Sequence, residues 1–216
     1  RTDFRNALMQ YSTYTSATLT IPQWERADLT GANFTSATLT WPEAKEANFT
    51  SAHFGKTTTT NMDASNALFN GATIKNSTFT KLTAPQASMV GAIIDSSDLG
   101  QAQLQGSDLS NSTIKGSNLT SANMSNSKFK NSNITNTNFT QTQLGFSDFT
   151  GSEIEKITFT STELTAADMT DTTIKSSKFD KANLAYANFK NADLTGSHII
   201  NVSGIYLQFV GADLTG

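Results

Sequence analysis

Large apolar residues recur at every fifth position along this chain. The series begins at Phe4, continues through Met9 and Tyr14, and reaches Leu214 without a shift in frame. All phenylalanines except Phe146 belong to it. A period of five fits neither an α-helix, which repeats every ~3.6 residues, nor a long strand, which repeats every two. The exceptions to the series are small or polar residues, namely Ala44, Thr59, Ala64, Ala84 and Gly204.

A second series, made of small residues, lies two positions before the first. The unit therefore reads small, polar, large apolar, polar, polar, and its clearest copies are A-D-L-T-G at 27–31 and again at 192–196. A small residue pointing in, a polar one pointing out and a large one pointing in describe a three-residue strand. The other two residues turn a corner, which suits the glycines often found there. Short strands and corners of constant length predict a solenoid.

A longer period of 20 residues shows how many units make one coil. A larger residue occupies the small position four times at this interval, at Pro22, Pro42, Met62 and Leu82. In the last three of these units the large position has shrunk to Ala44, Ala64 and Ala84, a compensation that close packing between stacked coils requires. Isoleucine marks the same interval at Ile74, Ile94, Ile114, Ile134, Ile154 and Ile174. We therefore expect one all-β domain over residues 1–216, with four units per coil and nearly eleven coils.

In these units the chain resembles the pentapeptide-repeat family, whose consensus is A-(D/N)-L-x-x, over essentially residues 2–216. The resemblance implies a right-handed quadrilateral parallel β-helix in which the small and the large positions point inward. The chain departs from the family pattern where Ser replaces Ala in the small position after residue 97, and around residues 41–45 and 81–85. We expect the coils to loosen or bulge at these places.

Composition excludes several classes of function. The formal net charge of -3 and the pI near 5.3 do not suit direct binding of nucleic acid or of an anionic membrane. No apolar run approaches the ~18 residues of a membrane span. There is no cysteine, so thiolate metal sites and a cysteine nucleophile are excluded. The lack of cysteine is compatible with a secreted, a periplasmic and a cytoplasmic protein alike, so the sequence selects no compartment.

Residues that could carry catalysis are not brought together by the repeat. His53 and His198 fall on outward positions many coils apart. Glu153 and Glu155 share one face, but a flat face offers no cleft to tune a carboxylate. We therefore predict no enzyme activity, no metal and no cofactor.

Threonine pairs form the first candidate interaction surface. Each pair flanks one inward residue, so its two hydroxyls stand about 7 Å apart and repeat about every 4.8 Å along the tube. Such an array resembles the ice-binding faces of unrelated β-helical antifreeze proteins, and ice or surface binding is one alternative function. The pairs are Thr18 and Thr20, Thr38 and Thr40, Thr58 and Thr60, Thr78 and Thr80, and Thr158 and Thr160.

Two further surfaces are candidates for a protein contact. Trp41, at a corner beside Pro42, is predicted to be exposed and is the one aromatic residue that we select for testing as an anchor. The last coil is unusually apolar, which indicates either a coil that seals its own core or an end-to-end homodimer. Its candidate contact residues are Ile200, Val202, Ile205, Tyr206 and Val210.

The leading functional hypothesis is a non-enzymatic binding or scaffold protein whose flat faces dock a protein partner of unknown identity. The family resemblance implies an alternative, because some members mimic duplex DNA and protect DNA gyrase from quinolones. Asp28, Asp108, Asp148 and Asp168 share a column that could be an acidic face, but Lys128 and Lys130 interrupt it. A third alternative is a passive section of a larger secreted or surface protein. The chain begins without Met and stops inside the repeat, so we expect it to be trimmed from, or to continue into, a larger chain.

Overall fold

The computed structural model describes residues 2–215, which contain short strands and no helix. Every strand has three residues, with its middle side chain pointing into the tube. The strands are β1 (Thr18–Thr20), β2 (Thr38–Thr40), β3 (His53–Gly55), β4 (Thr58–Thr60), β5 (Thr73–Lys75), β6 (Thr78–Thr80), β7 (Ile93–Asp95), β8 (Thr113–Lys115), β9 (Asn133–Thr135), β10 (Glu153–Glu155) and β11 (Thr173–Lys175).

All strand pairing is parallel and joins residues 20 positions apart. One sheet has the order β1-β2-β4-β6, and the other has the order β11-β10-β9-β8-β7-β5-β3. Leu19 pairs with Leu39, and Ile74 pairs with Ile94. The predicted coil of 20 residues is therefore confirmed, and with it the parallel β-helix.

Isolated parallel bridges at the same interval complete a tube with four faces. The faces are numbered one to four in the order in which the chain passes through them within one coil. Bridges of the first face run from Asp3 to Ser203, and those of the second from Leu8 to Gln208. The third face contains β3 and its sheet. The fourth face contains β1 and its sheet, and continues as bridges from Thr78 to His198.

The inward positions form one continuous buried core. Because each coil has the same length, like positions lie above one another and their rings stack. The rings of Tyr14 and Phe34 lie 4.9 Å apart, as do those of Phe34 and Phe54, and the two contacts are almost parallel. Farther along the tube, the Phe129 and Phe149 rings are 4.5 Å apart and 2° from parallel. Such stacking adds to the free energy gained by burying the rings.

Large residues in the small position of the repeat do not disturb the coil. Met62 and Leu82 are buried beside the shrunken Ala64 and Ala84. Bridges on this face continue without a break from Glu43 to Asp63, Thr83 and Gln103. The expected loosening around residues 41–45 and 81–85 is therefore wrong, because volume lost from one inward position is filled by its neighbour two residues away.

At one corner of the tube, serines in the small position replace a hydrogen bond that this corner lacks. At most corners the N–H of the small residue donates to the carbonyl three residues earlier, as from Ala32 to Leu29 at 3.0 Å. At the corner between the third and fourth faces, Ser77 N–H donates instead to Oγ of Ser97, one coil away, at 3.1 Å. Ser97 N–H donates in turn to Oγ of Ser117 at 3.2 Å. The expected loosening after residue 97 is also wrong, because these hydroxyls tie adjacent coils together.

Replacing Ser97 by Ala is expected to lower the free energy of unfolding by about 1–3 kcal/mol, because it leaves the buried N–H of Ser77 without its acceptor. Ser112 is the matched control: it is also buried in a small position, but its hydroxyl has no hydrogen-bond partner. Ser112→Ala should leave stability unchanged or raise it. Urea unfolding of both variants measures the difference, and equal losses would contradict the role given to this hydroxyl.

Candidate interaction surfaces

Threonine pairs line the fourth face in two columns that are in register over four coils. The two columns start at Thr18 and Thr20 in β1. Each threonine pairs with the threonine 20 positions later, through β2, β4 and β6. Beyond them Asp98 and Gly100 break the columns, and the next complete pair, Thr158 and Thr160, lies farther along the same face. The unbroken part of the array therefore contains Thr18, Thr20, Thr38, Thr40, Thr58, Thr60, Thr78 and Thr80.

Two outward carboxylates, Asp28 and Asp148, accept hydrogen bonds from the residue two positions later. Thr30 donates to Asp28 from its backbone N–H at 3.1 Å and from its hydroxyl at 2.6 Å, and the hydroxyl bond is the main reason that the pKa of Asp28 is lowered. Partial burial alone would raise the pKa of Asp148, but hydrogen bonds from Thr150 and Lys130 outweigh it and lower the pKa. These groups remain ionised at neutral pH and are poor general acids.

The residues considered for catalysis are scattered over an open surface. His53 lies on the third face and His198 on the fourth. Glu155 pairs with neighbouring Lys156 at 2.6 Å, on the exposed side of β10. Within residues 2–215, no group of three His, Cys, Asp or Glu side chains could hold a metal ion. The same residues include no helix long and apolar enough to cross a membrane.

The acidic column of the second face is interrupted by a lysine. Asp108 bridges to Lys128, which bridges to Asp148, and Asp148 bridges to Asp168. Nζ of Lys130 lies 2.9 Å from Oδ2 of Asp148. This part of the face therefore carries Lys128 and the Lys130–Asp148 ion pair among its acidic residues rather than a continuous negative stripe.

The last coil divides its apolar residues between the core and the surface. Val202 packs against the core. The other four candidate contact residues are exposed, from 49% for Ile200 to 74% for Tyr206, with Ile205 and Val210 between them. This coil both covers the core and presents apolar side chains to its surroundings.

Trp41 is exposed at its corner, as expected, but it is not the only exposed aromatic residue. Tyr11, Phe146 and Tyr186 are exposed as well, and all four stand at corners where φ lies between 53 and 59°. The sequence carried a signal for one of them, because Phe146 is the only Phe outside the five-residue series. The tyrosines lacked such a signal, since tyrosine is common on surfaces.

Comparison with known proteins supports the same architecture. The family model described as pentapeptide repeats matches in eight copies at residues 75–111, 102–141, 117–155 and 177–216, which together span more than half of the chain. The chain is similar to HetL, a pentapeptide repeat protein involved in heterocyst differentiation regulation in the cyanobacterium Nostoc sp. strain PCC 7120. The two share 18% identity with a TM-score of 0.61, over 95% of this chain and 88% of HetL.

A more distant similarity is to full-length QnrB1, a plasmid-mediated fluoroquinolone resistance protein. It has 17% identity and a TM-score of 0.37, over 91% of this chain and 94% of QnrB1. At 18% identity, the similarity to HetL concerns the fold alone. None of the curated protein sequences matches this chain.

Proposed function

Because the chain belongs to the pentapeptide-repeat family, we propose that it is a non-enzymatic binding protein that presents a rigid tube to a protein partner. The observation that carries the proposal is the set of large apolar side chains that the tube exposes and its core does not need. Trp41, Phe146 and Tyr186 are each at least half exposed. Aromatic residues are enriched where proteins meet, since they bury much area with few rotatable bonds.

Capture of partners from the native extract by the immobilised tube tests this proposal. We expect wild-type protein to retain a defined partner, and at least one of two variants, Trp41→Gln and Phe146→Asn/Tyr186→Asn, to retain less than a tenth of it. Thr13→Lys/Thr15→Lys, on the third face, is the control and should retain the wild-type amount. Retention that is equal for all variants, or absent for wild type, would contradict the proposal.

A second candidate function is binding to ice or to another ordered surface, and the register of the threonine columns favours it. Thr18 pairs with Thr38, Thr38 with Thr58, and Thr58 with Thr78, so the array repeats at the coil spacing. Regular spacing of hydroxyls and methyls on a flat sheet suits a repeating surface better than an irregular protein.

Ice-crystal shaping and thermal hysteresis test this second function. Thr38→Lys/Thr40→Lys places two charged chains in the middle of the columns and should abolish any shaping seen with wild type. The matched control is again Thr13→Lys/Thr15→Lys, which makes the same change one face earlier in a coil. If wild type does not shape ice, or if both double variants behave like wild type, this function is excluded.

A further inference from the structure

The corner between the first and second faces changes character towards the end of the chain. Its earlier residues are polar or glycine, which suits the left-handed backbone of the corner: Asn66, Gln86, Gly106 and Asn126. From Phe146 onward the same positions are occupied by Phe146, Ala166, Tyr186 and Tyr206, which we call the corner ridge. A bulky aromatic residue is strained at positive φ and gains little from standing in water, so the fold alone does not explain the ridge.

The ridge contains a gap of one ring. Tyr186 and Tyr206, one coil apart, stack with their ring centroids 5.2 Å apart and their planes 22° from parallel. Phe146 and Tyr186 are two coils apart, which is about 10 Å at the spacing of paired strands. Both have φ of 59° at the same position of the coil, so their Cα–Cβ bonds leave the backbone in similar directions. Between them stands only the methyl group of Ala166.

One planar group fits this gap, which we call the ring slot. Backbone hydrogen bonds of 2.8 Å from Phe146 to Thr165, and from Ala166 to Ala185, keep the three coils in register. A planar group at the level of Ala166 would lie about 5 Å from each ring, within the range of ordinary aromatic stacking. The slot is open because Ala166 is small and because Phe146 and Tyr186 are 64% and 50% exposed.

Negative charge flanks the ring slot on the coil of Ala166. Glu163 projects from the first face and accepts a hydrogen bond from Asn183 at 2.9 Å. Asp168 projects from the second face and accepts one from the backbone N–H of Thr170 at 3.0 Å. Within residues 2–215, neither carboxylate takes part in an ion pair.

We propose that the ring slot binds the guanidinium group of an arginine on a protein partner. This inference rests on the proposed function and names the side chain that the partner contributes. Arginine is planar, stacks on aromatic faces and donates hydrogen bonds from its edge, which would point to Glu163 and Asp168. Lysine has no planar group to fill the slot. A neutral ring would fill it but would offer no positive charge to the two carboxylates.

Titration of the isotope-labelled protein with N-acetyl-arginine methylamide, followed by amide chemical shifts, tests the inference. We expect saturable shifts confined to residues near 146, 166 and 186, and binding at least tenfold weaker for N-acetyl-lysine methylamide. Ala166→Phe fills the slot and should abolish binding of the arginine probe. Tyr206→Ala should leave binding within twofold of wild type, because Tyr206 lies behind Tyr186.

A matched control keeps the result independent of folding. Gln86→Phe adds the same aromatic group at the same corner, four coils before Ala166, and should not affect the probe; circular dichroism of all variants checks the fold. Equal affinity for the arginine and lysine probes, or unchanged binding by Ala166→Phe, would overturn the inference. The proposed function is judged separately, by partner capture. If a partner is retained through Trp41 but the arginine probe does not bind, the ring slot is wrong and the proposed function is still supported. If the arginine probe binds but no partner is captured, the proposed function is contradicted.

Discussion

Met62→Ala is expected to lower the free energy of unfolding by about 2–5 kcal/mol, which is the usual loss when a buried Met is truncated to Ala. The loss should lie in the upper half of that range because neighbouring Ala64, in the same coil, is too small to fill the space. Ala64→Leu alone should also destabilise, by about 1–3 kcal/mol, because it adds volume where Met62 already fills the core.

The double variant Met62→Ala/Ala64→Leu restores the ordinary small and large positions of the repeat. We expect it to lose at least 1 kcal/mol less than the sum of the single losses, since residues that share one space are not additive. Urea unfolding of the four proteins measures this coupling. Additive losses would show that volume is not exchanged between the two positions.

Phe149→Ala is expected to lower the free energy of unfolding by about 3–5 kcal/mol. Its ring is fully buried and stacks on that of Phe129, so truncation leaves a cavity and removes one partner from the stack. Phe146, three residues earlier, is the matched control because it is the same residue type with its ring exposed. Phe146→Ala should change stability by no more than about 0.5 kcal/mol. Thermal or urea unfolding of the two variants measures the difference. Similar losses of stability would contradict the assignment of Phe149 to the core and Phe146 to the surface.

The inward positions of the tube could be predicted almost completely. The interval between Ile74 and Ile94 predicts the register in which they pair, because a closed coil of constant length must place like positions above one another. The small residues at 44, 64 and 84 indicate a compensating change rather than a defect, and Met62 and Leu82 fill the space in the structure. Burial is a periodic property, so a periodic sequence reveals it.

The hydrogen bonds of the corners could not be predicted in this way. Ser97 looks like a weaker substitute for Ala when only its size is considered. Its hydroxyl accepts the N–H of Ser77 because one corner of these coils lacks the usual turn bond, and corner geometry differs between faces that share the same repeat. Ser112 stands in the same kind of position and makes no such bond. The coil period assigns the two serines to different corners, but only the structure shows which corner lacks the usual turn bond.

The candidate surfaces depend even more on the assembled tube. The threonine columns were visible in the sequence because they follow the coil period, and their functional role remains a proposal. The corner ridge was harder to recognise. Phe146 stands out as the one Phe outside the five-residue series, but Ala166 and Tyr186 are unremarkable singly, and the three become neighbours only when three coils stack.

The sequence by itself determined the length of the coil, the residues that point inward and the face on which each outward residue lies, because these follow from a repeat that never changes its frame. Only the tertiary structure decided which corners need a hydroxyl and which exposed rings stack or leave a gap. Those features depend on the distance and angle between side chains of different coils, and neither is contained in the period.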